Sequence, residues 1–227
     1  MKPFRAVIFD MDGVIVDSEP LHKEAFHAVL DDLGYGRDLA RLGLNFDDYI
    51  GHSDFVLWQD FVARHHPPQT MEELITLKRD LVVAMIRRQE PLFDGLPELV
   101  AALAPRWLLA VASGSERAVI DAVLEIGDLR RHFGAVVSAS EVMHGKPAPD
   151  IFLLTASRLG VPPEDCVVID ASKPGVAAGL AARMQVLAVT NTHSATEFEQ
   201  AHHVVQHYAE LRRLLLGGPN NKGCLQS

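Results

Sequence analysis

Two aspartates, Asp10 and Asp12, directly follow a short apolar run, and this arrangement constrains the fold more than any other feature. The run from Ala6 to Phe9 is typical of a buried parallel strand. Open α/β sheets bind ligands at the carboxyl ends of such strands. Residues two apart in an extended chain point the same way, so both acids can face one crevice. Because their like charges repel without a cation or a shared proton, the pair favours a divalent metal, with one carboxylate left as a nucleophile.

Length and charge exclude several classes of protein. The 227 residues suffice for one large domain, or for a core with a smaller appendage. A formal net charge of -9 argues against binding to nucleic acid or to an anionic membrane. No apolar run approaches the roughly 20 residues of a membrane helix. We therefore expect a small-molecule partner, no nucleic acid, no membrane, and a monomer or weak homodimer.

The cellular location is predicted from the N-terminus and the cysteines. The N-terminus runs directly into the first strand and lacks the apolar region of a signal peptide. The two cysteines are Cys166, beside an apolar strand, and Cys224, in a polar tail. This usage is typical of a reduced, cytoplasmic protein without a disulfide framework.

A long helical section separates the first strand from the rest of the predicted sheet. From Glu19 to about Arg88, apolar residues recur at helical spacing and no strand is convincing. Strands and helices then alternate, which predicts an α/β fold with a doubly wound parallel sheet. The predicted division is a core at 1–17 and 92–217, a helical insert at 18–91, and a flexible tail at 218–227.

The elements after the insert are predicted from short apolar runs and from helical periodicity. The predicted strands are Trp107 to Ala112, Ala135 to Val137, Val167 to Asp170, Val186 to Val189, and Val204 to Val205. The predicted helices are Leu96 to Leu103, Arg117 to Ile126, Asp150 to Leu159, Pro174 to Ala182, and Ala209 to Leu216.

Three further polar clusters follow predicted strands, and so converge on the same edge of the sheet. Ser113 and Gly114 stand at the start of a helix, where a hydroxyl and free N–H groups suit a phosphate. The alternative is that this cluster is only a helix N-cap, and we expect Ser115 to have that role. Lys146 could neutralise phosphate oxygens, or be an exposed loop lysine. Asp170 could meet the metal, or cap the next helix. Asp10 and Asp12 likewise have a solvated turn as their alternative, but the shared position of all four clusters favours a single site.

The sequence resembles the haloacid dehalogenase-like (HAD) hydrolase superfamily, in its branch with a helical cap. The resemblance rests on four ordered segments, FDMDGVIVDSEP, ASGS, GKPAPD and IDASKPGVAAGLAARM. That branch includes β-phosphoglucomutase and phosphoglycolate-phosphatase-like enzymes. The resemblance covers the core, whereas the insert resembles the family's cap mostly in length and helicity. It implies a Rossmann-like HAD core with a small α-helical cap domain inserted after the first strand.

The resemblance implies a role for each motif residue. Asp10 would attack phosphorus to form an aspartyl-phosphate, and Asp12 would protonate the leaving oxygen and then deprotonate the hydrolytic water. The Asp10 carboxylate and the Asp12 backbone carbonyl would contact Mg²⁺. Ser113 and the Gly114 N–H would hold the transferring phosphoryl group, with Lys146 supplying a positive charge.

The fourth segment departs from the family pattern. Enzymes of this branch carry Glu-Asp-Ser where this chain has Asp170, Ala171 and Ser172. The second acid is the family's direct metal ligand, and Ala171 stands in its place. Three outcomes are open: Asp170 shifts to become the third metal residue beside Asp10 and Asp12, water fills the position and leaves a weaker site, or catalysis has been lost.

The resemblance also implies substrate-binding residues in the cap. Ser18 and His22 match positions near the entrance of the active site, although His22 also suits an ordinary surface position on a helix. His52 and Ser53 lie in a segment that resembles a cap loop facing the substrate.

Basic cap residues hold a second phosphate in the sugar-phosphate mutases of this family. Asp54 and Ala84 stand at those places, which argues against a mutase. Asp54 and Trp58 are further specificity candidates, with core packing as the alternative for Trp58. We expect the other aromatic side chains of interest to pack in the core, namely Phe26, Phe55, Phe61 and Phe152.

The leading hypothesis is a Mg²⁺-dependent phosphohydrolase that acts on a small phosphorylated metabolite through an aspartyl-phosphate. Weakened metal binding is expected because Ala171 replaces the usual acid. The alternatives are a β-phosphoglucomutase-like phosphomutase and a catalytically impaired phosphate-binding or regulatory protein with the HAD fold. A dehalogenase is disfavoured, since its chemistry needs no Mg²⁺ and leaves Asp12 without a purpose.

Overall fold

A six-stranded parallel sheet forms the centre of the protein, for which the computed structural model describes residues 2–217. The strand order is β3-β2-β1-β4-β5-β6. The strands are β1 (Ala6–Phe9), β2 (Leu108–Ser113), β3 (Ala135–Ser138), β4 (Cys166–Asp170), β5 (Gln185–Val189) and β6 (His203–Val205). The predicted tail at 218–227 and Cys224 lie outside the described residues.

Eight α-helices accompany these strands within the described range. They are α1 (Glu19–Asp32), α2 (Asp54–His65), α3 (Met71–Gln89), α4 (Leu96–Leu103), α5 (Arg117–Glu125), α6 (Asp150–Leu159), α7 (Lys173–Ala181) and α8 (Tyr208–Leu216). The predicted α/β fold with a doubly wound parallel sheet is confirmed.

The first strand lies in the middle of the sheet because its side chains are apolar on both faces. Val7 and Phe9 pack in one hydrophobic layer, and Ala6 and Ile8 pack in the layer on the opposite face. All four are fully buried, which is how a central parallel strand covered by helices on both sides is stabilised. This position places the residue after Phe9 at the centre of one sheet edge.

The helices α1, α2 and α3 form a separate hydrophobic cluster between β1 and β2. Phe26, Trp58 and Phe61 lie at its centre, with edge-to-face contacts at ring-centroid distances of 4.8 and 5.6 Å. We call residues 18–91 the cap segment; their division from the core as a domain stays a prediction.

Two neighbouring segments of the chain, one entering and one leaving, connect the cap segment to the sheet. The Asp17 N–H donates to the Pro91 carbonyl at 2.9 Å, and the Phe93 N–H donates to the Ile15 carbonyl at 3.3 Å. Because the entry and exit chains are paired, the cap segment joins the core at one place.

Element boundaries differ from the prediction by one residue at several ends. Residues Phe46–Tyr49 form a separate 3₁₀ turn before α2, and Gly51, with φ +83°, lies between the two. The expectation that Phe55 packs in the core was wrong, since Phe55 is 50% exposed. It lies in the first turn of α2, beside the buried face formed by Leu57, Trp58 and Phe61.

No helix within residues 2–217 combines the length and the apolar character that a membrane span needs.

Truncation of one buried and one exposed phenylalanine of α2 tests whether the assigned core stabilises the cap segment. We expect Phe61→Ala to lower the free energy of unfolding by about 3–5 kcal/mol, because it leaves a cavity among fully buried rings. The control Phe55→Ala should cost less than about 0.5 kcal/mol. Urea unfolding followed by circular dichroism measures both, and equal losses would contradict the assigned cap core.

Candidate active site

The loop after β1 presents Asp10 at the carboxyl edge of the sheet. The Asp10 N–H donates to the Ile169 carbonyl of β4 at 2.8 Å, which holds its backbone in line with the neighbouring strand. A tight turn follows, in which Gly13 has φ +74° and an added Cβ would lie 2.7 Å from the Thr192 side chain. Only glycine fits this turn without strain. The turn reverses the direction of the chain directly after Asp12, and the Asp10 side chain is buried, with 3% of its surface exposed.

Lys146 lies between two buried carboxylates. Its Nζ is 2.9 Å from Asp10 Oδ1 and 2.9 Å from Asp170 Oδ2. The other oxygen of Asp170 accepts hydrogen bonds from the Ser172 N–H at 2.9 Å and the Ser172 hydroxyl at 2.8 Å. All of these side chains are almost fully buried. The predicted convergence of three separate chain segments is therefore present.

A glycine in α7 makes room for this arrangement. A Cβ on Gly175 would lie 1.9 Å from Asp170 Oδ2, which is far inside van der Waals contact. Its N–H also donates to the Ser172 hydroxyl at 3.1 Å, so Ser172, and not Asp170, caps this helix. The capping alternative for Asp170 is thus excluded.

The charges of this cluster act on one another strongly. Burial raises the pKa of the Asp10 carboxyl well above its ordinary value, the neighbouring Asp170 raises it further, and Lys146 opposes both effects. Burial also acts to lower the pKa of Lys146, but the charges of Asp10 and Asp170 outweigh it and raise the net value. Lys146 is therefore a permanent cation held by two acids.

Asp12 accepts four side-chain hydrogen bonds. Its Oδ1 accepts from the Ser18 hydroxyl at 2.5 Å and lies 3.2 Å from His22 Nε2. Its Oδ2 accepts from Ser113 at 3.1 Å and from Ser115 at 2.8 Å. Burial acts to raise the pKa of Asp12, but the hydrogen bonds from His22, Ser18 and Ser115 outweigh it and hold the pKa below its ordinary value. Asp12 is therefore an ionised carboxylate in this arrangement.

The serines at the start of α5 differ from the sequence expectation. Ser115 was predicted to be an N-cap, yet the residue before α5 is Glu116, and its side chain caps nothing. Instead, the Ser115 hydroxyl donates to Asp12, and the Ser115 N–H donates to Ser113 Oγ at 3.0 Å. The N-cap prediction was wrong because α5 begins at Arg117, which puts Glu116 in the N-cap position, and the Ser115 hydroxyl instead donates to the buried carboxylate of Asp12.

A buried lysine of the cap segment fixes the orientation of His22. Lys78 Nζ lies 2.8 Å from His22 Nδ1 and 2.5 Å from Asp54 Oδ1, and Lys78 is 1% exposed. An ammonium group can only donate, so Nδ1 accepts and the His22 proton is carried on Nε2. That proton faces Asp12. The surface alternative for His22 is thus excluded.

Sequence reasoning missed Lys78, although a signal was present. In α3 the buried positions are Leu74, Lys78, Val82 and Ile86, which recur every four residues. A lysine inside such an apolar stripe needs a buried partner, because an unpaired charge there is costly.

The loop of Gly51, His52 and Ser53 rests on the core. A Cβ on Gly114 would lie 3.1 Å from the His52 carbonyl oxygen, and a Cβ on Gly51 would lie 2.3 Å from Ser172 Oγ. Burial lowers the pKa of the half-buried His52. Ser53 precedes α2 without a side-chain capping bond. The loop therefore lies over the acids; its role as a loop that faces the substrate stays a prediction.

The cavity beneath this loop is small. It has a volume of about 30 Å³ and is lined by Asp10, Asp12, Glu19, Asp54 and Gly114, among others. Such a volume holds about two water molecules. This volume is smaller than that of a sugar-sized molecule.

Comparison with known proteins agrees with this geometry. The family model described as haloacid dehalogenase-like hydrolase matches residues 4–183. The chain belongs to the haloacid dehalogenase-like hydrolase family. The predicted family is confirmed, and with it membership in a family of hydrolases.

Relatives of this chain include proteins that are named as phosphatases. The fructose-1-phosphate phosphatase YqaB of Escherichia coli strain K12 is 37% identical over 188 residues, with 82% of this chain and 96% of the relative covered. Hexitol phosphatase B of the same strain is 34% identical over 192 residues, with 81% and 82% covered.

The fold also agrees with a solved structure. CbbY from Rhodobacter sphaeroides, in complex with phosphate, has a TM-score of 0.83 at 24% identity, with 96% of this chain and 99% of that chain covered. This likeness supports the arrangement of the sheet and the helices.

The side chains near Asp10 offer few ligands to a divalent cation. Within residues 2–217, no group of three or more His, Cys, Asp or Glu side chains is arranged to hold a metal. Asp10 Oδ1 is buried and accepts no hydrogen bond, despite its 2.9 Å distance to Lys146. Mg²⁺ is commonly bound through only one or two carboxylates with several waters. Both oxygens of Asp170 are already occupied, Oδ2 by Lys146 and Oδ1 by Ser172, and the buried methyl of Ala171 adds no ligand. Asp10 is therefore the acid that could meet a cation in this arrangement, and Asp170 would have to give up one of its contacts to join it.

Glu19 gives the stability of this protein a pH dependence that can be tested. Burial, and then the charge of Asp12, raise its pKa from 4.5 to about 7. Between these values the folded state binds more protons than the unfolded chain, so this group lowers stability as pH rises toward 7. We expect Glu19→Gln to stabilise the protein at about pH 8 relative to its effect at about pH 5.

Thermal unfolding at both pH values measures this difference. The control is Glu24→Gln on the same helix, because the hydrogen bond from Arg37 lowers the pKa of Glu24 instead of raising it. An effect of Glu19→Gln that stays the same at both pH values would contradict the assigned environment of Glu19.

Proposed function

We propose that this protein hydrolyses phosphate monoesters of small sugar-like metabolites, with Asp10 as the nucleophile. The observation that carries the proposal is the position of Lys146, which lies 2.9 Å from both Asp10 and Asp170. This cation offsets the repulsion of two buried acids and leaves Asp10 at the open centre of the sheet edge. The names of two relatives, a fructose-1-phosphate phosphatase and a hexitol phosphatase, support the reaction class.

In the proposed first step, an Asp10 oxygen attacks phosphorus and the bond from phosphorus to the ester oxygen breaks. The products of this step are an aspartyl-phosphate and an alkoxide-like leaving oxygen, which takes a proton from Asp12. A water molecule then attacks the phosphoryl group after losing its proton to Asp12, which releases phosphate and restores Asp10. Each proton that Asp12 gives in the first step returns in the second.

The hydrogen bonds to Asp12 set the order of events in this scheme. Four donors hold it as a carboxylate while the loop is closed, so it must be protonated before it can act as an acid. Substrate that brings phosphate oxygens to Ser113 would take one of these donors away. The pKa of Asp12 should then rise toward the value that a general acid needs.

Ser113 and Gly114 are proposed to hold the transferring phosphoryl group. Ser113 ends β2 and is fully buried beside Asp12. Gly114 has no side chain to separate its backbone from the His52 carbonyl, so its N–H can face the cavity. Hydrogen bonds aimed at phosphoryl oxygens stabilise the charge that they carry in the transition state.

The proposal includes Mg²⁺, held by the Asp10 carboxylate, the Asp12 backbone carbonyl and Asp170. When bound, Mg²⁺ would neutralise phosphate oxygens and reduce the repulsion between the acids. We also propose residues 18–91 as a cap domain whose Ser18, His22, His52 and Ser53 face the substrate. The cytoplasmic location and the monomeric or weakly dimeric state stay predictions.

Release of inorganic phosphate tests the function directly. We expect the protein to release phosphate from fructose 1-phosphate and p-nitrophenyl phosphate in the presence of Mg²⁺. Asp10→Asn should lower turnover by about a thousandfold or more, since it removes the nucleophile. If the parent protein and Asp10→Asn show the same low activity on a panel of sugar phosphates, the phosphatase proposal is wrong.

A substitution at Ala171 tests the metal argument. We expect Ala171→Asp to tighten Mg²⁺ binding by about tenfold and to raise turnover at low Mg²⁺, because it supplies a further carboxylate. The matched control is Ala171→Asn, which has a similar volume but no negative charge. Calorimetric titration with Mg²⁺ gives the affinities; equal affinities for the two variants would contradict a role for this position in metal binding.

A further inference from the structure

The cap segment lines the cavity with charged groups that the proposed chemistry does not use. Glu19 begins α1, Asp54 begins α2, and Lys78 lies in the middle of α3. All three line the same cavity as Asp10. We call Glu19, Asp54 and Lys78 the cap wall. Once the phosphate of a substrate is bound beside Asp10, the rest of the substrate, which we call its remainder, would contact these residues.

The cation of the cap wall is already paired. Lys78 Nζ lies 2.5 Å from Asp54 Oδ1 and 2.8 Å from His22 Nδ1, so two of its three N–H groups have acceptors. The Lys78 side chain is 1% exposed and that of Asp54 is 12% exposed. A buried ion pair of this kind leaves little positive potential for a ligand.

The acids of the cap wall retain capacity to accept hydrogen bonds. Within the described residues, Glu19 takes part in no hydrogen bond or ion pair, and Asp54 uses only Oδ1 for its ion pair. The charges of Asp12 and Asp54 both act on Glu19. The cap wall therefore offers hydrogen-bond acceptors, and its cation, Lys78, is already paired with Asp54 and His22.

We propose that Glu19 and Asp54 determine the substrate class: they select a phosphate monoester whose remainder carries hydroxyl or ammonium donors, and they exclude a second phosphate. This inference rests on the proposed function, because it assumes that the ester's phosphate lies beside Asp10. Hydroxyl groups of the remainder donate to Glu19 and to the second oxygen of Asp54. A second phosphate is disfavoured because the one cation of the cap wall, Lys78, is already paired with Asp54 and is not available to hold it.

Ligand binding to the Asp10→Asn protein tests this inference without turnover. The probes are fructose 1-phosphate, fructose 1,6-bisphosphate and inorganic phosphate, titrated calorimetrically at fixed Mg²⁺. We expect the monophosphate to bind about a hundredfold more tightly than the bisphosphate. A bisphosphate that binds as tightly as the monophosphate, or a monophosphate that binds no more tightly than inorganic phosphate, would overturn the inference.

Two variants in the Asp10→Asn background assign the effect to residues. Asp54→Asn frees Lys78 and should reduce the preference for the monophosphate by about tenfold. Glu19→Gln leaves the Lys78 pair intact and should weaken monophosphate binding about fivefold, with the affinity for inorganic phosphate unchanged. The control is Asp80→Asn, an exposed acid of α3 that pairs with Arg79 and does not line the cavity.

Thermal unfolding of each variant separates loss of folding from loss of recognition. If Asp54→Asn does not fold, Glu19→Gln and the parent's own preference still decide the inference. If both variants fold and keep the parent's preference, Glu19 and Asp54 do not determine the substrate class.

The two proposals fail in different experiments. Phosphate release without any preference between the monophosphate and the bisphosphate would keep the phosphatase function and reject the assigned substrate class. A clear binding preference without phosphate release from any ester would reject the hydrolytic function, while the cap wall would still select monophosphates as ligands.

Discussion

The ion pairs of Lys146 with Asp10 and Asp170 are the interaction on which the site depends. Moving three charged groups out of water is costly, and only close pairing with further hydrogen bonds offsets that cost. The parallel alignment of β1 with β4 brings the two acids side by side, since Phe9 lies opposite Ile169. Gly175 leaves the space that the Asp170 carboxylate occupies. Loss of Lys146 would leave two buried acids in mutual repulsion, so the same contact serves both stability and chemistry.

A second network connects the sheet edge to the cap segment. Asp12 receives donors from Ser113 and Ser115 on the core side and from Ser18 and His22 on the cap side. Closure of the cap segment therefore acts on Asp12 through its hydrogen bonds. The state of Asp12 is thus coupled to the position of the cap segment.

The parallel sheet could be predicted because its strands are apolar on both faces. The apolar run from Ala6 to Phe9 indicates a strand at the centre of a covered sheet. The position of the acids after it, at the carboxyl edge of the sheet, follows from the direction of that strand. The positions of Lys146 and Asp170 followed from the same rule. Family resemblance added the roles, which the single sequence does not contain.

The cap side of the site could not be predicted in the same way. Partners such as Lys78 and His22 are 56 residues apart, and helical periodicity gives no information on which helices meet. Phe55 was assigned to the core because aromatic residues are usually buried, but it lies in the first turn of α2 and is 50% exposed. The hydrogen-bond partner of a serine hydroxyl, such as that of Ser115, also cannot be predicted without the folded structure.

The central claim is that the carboxylate held by Lys146 becomes covalently phosphorylated. The direct measurement is a rapid acid quench of the parent protein during turnover of phosphate-labelled fructose 1-phosphate, followed by mapping of the label by mass spectrometry. The account predicts a phosphoryl group on the peptide that contains Asp10, and none on the same peptide of Asp10→Asn. Release of phosphate by the parent with no label on Asp10, or with label on another residue, would contradict it.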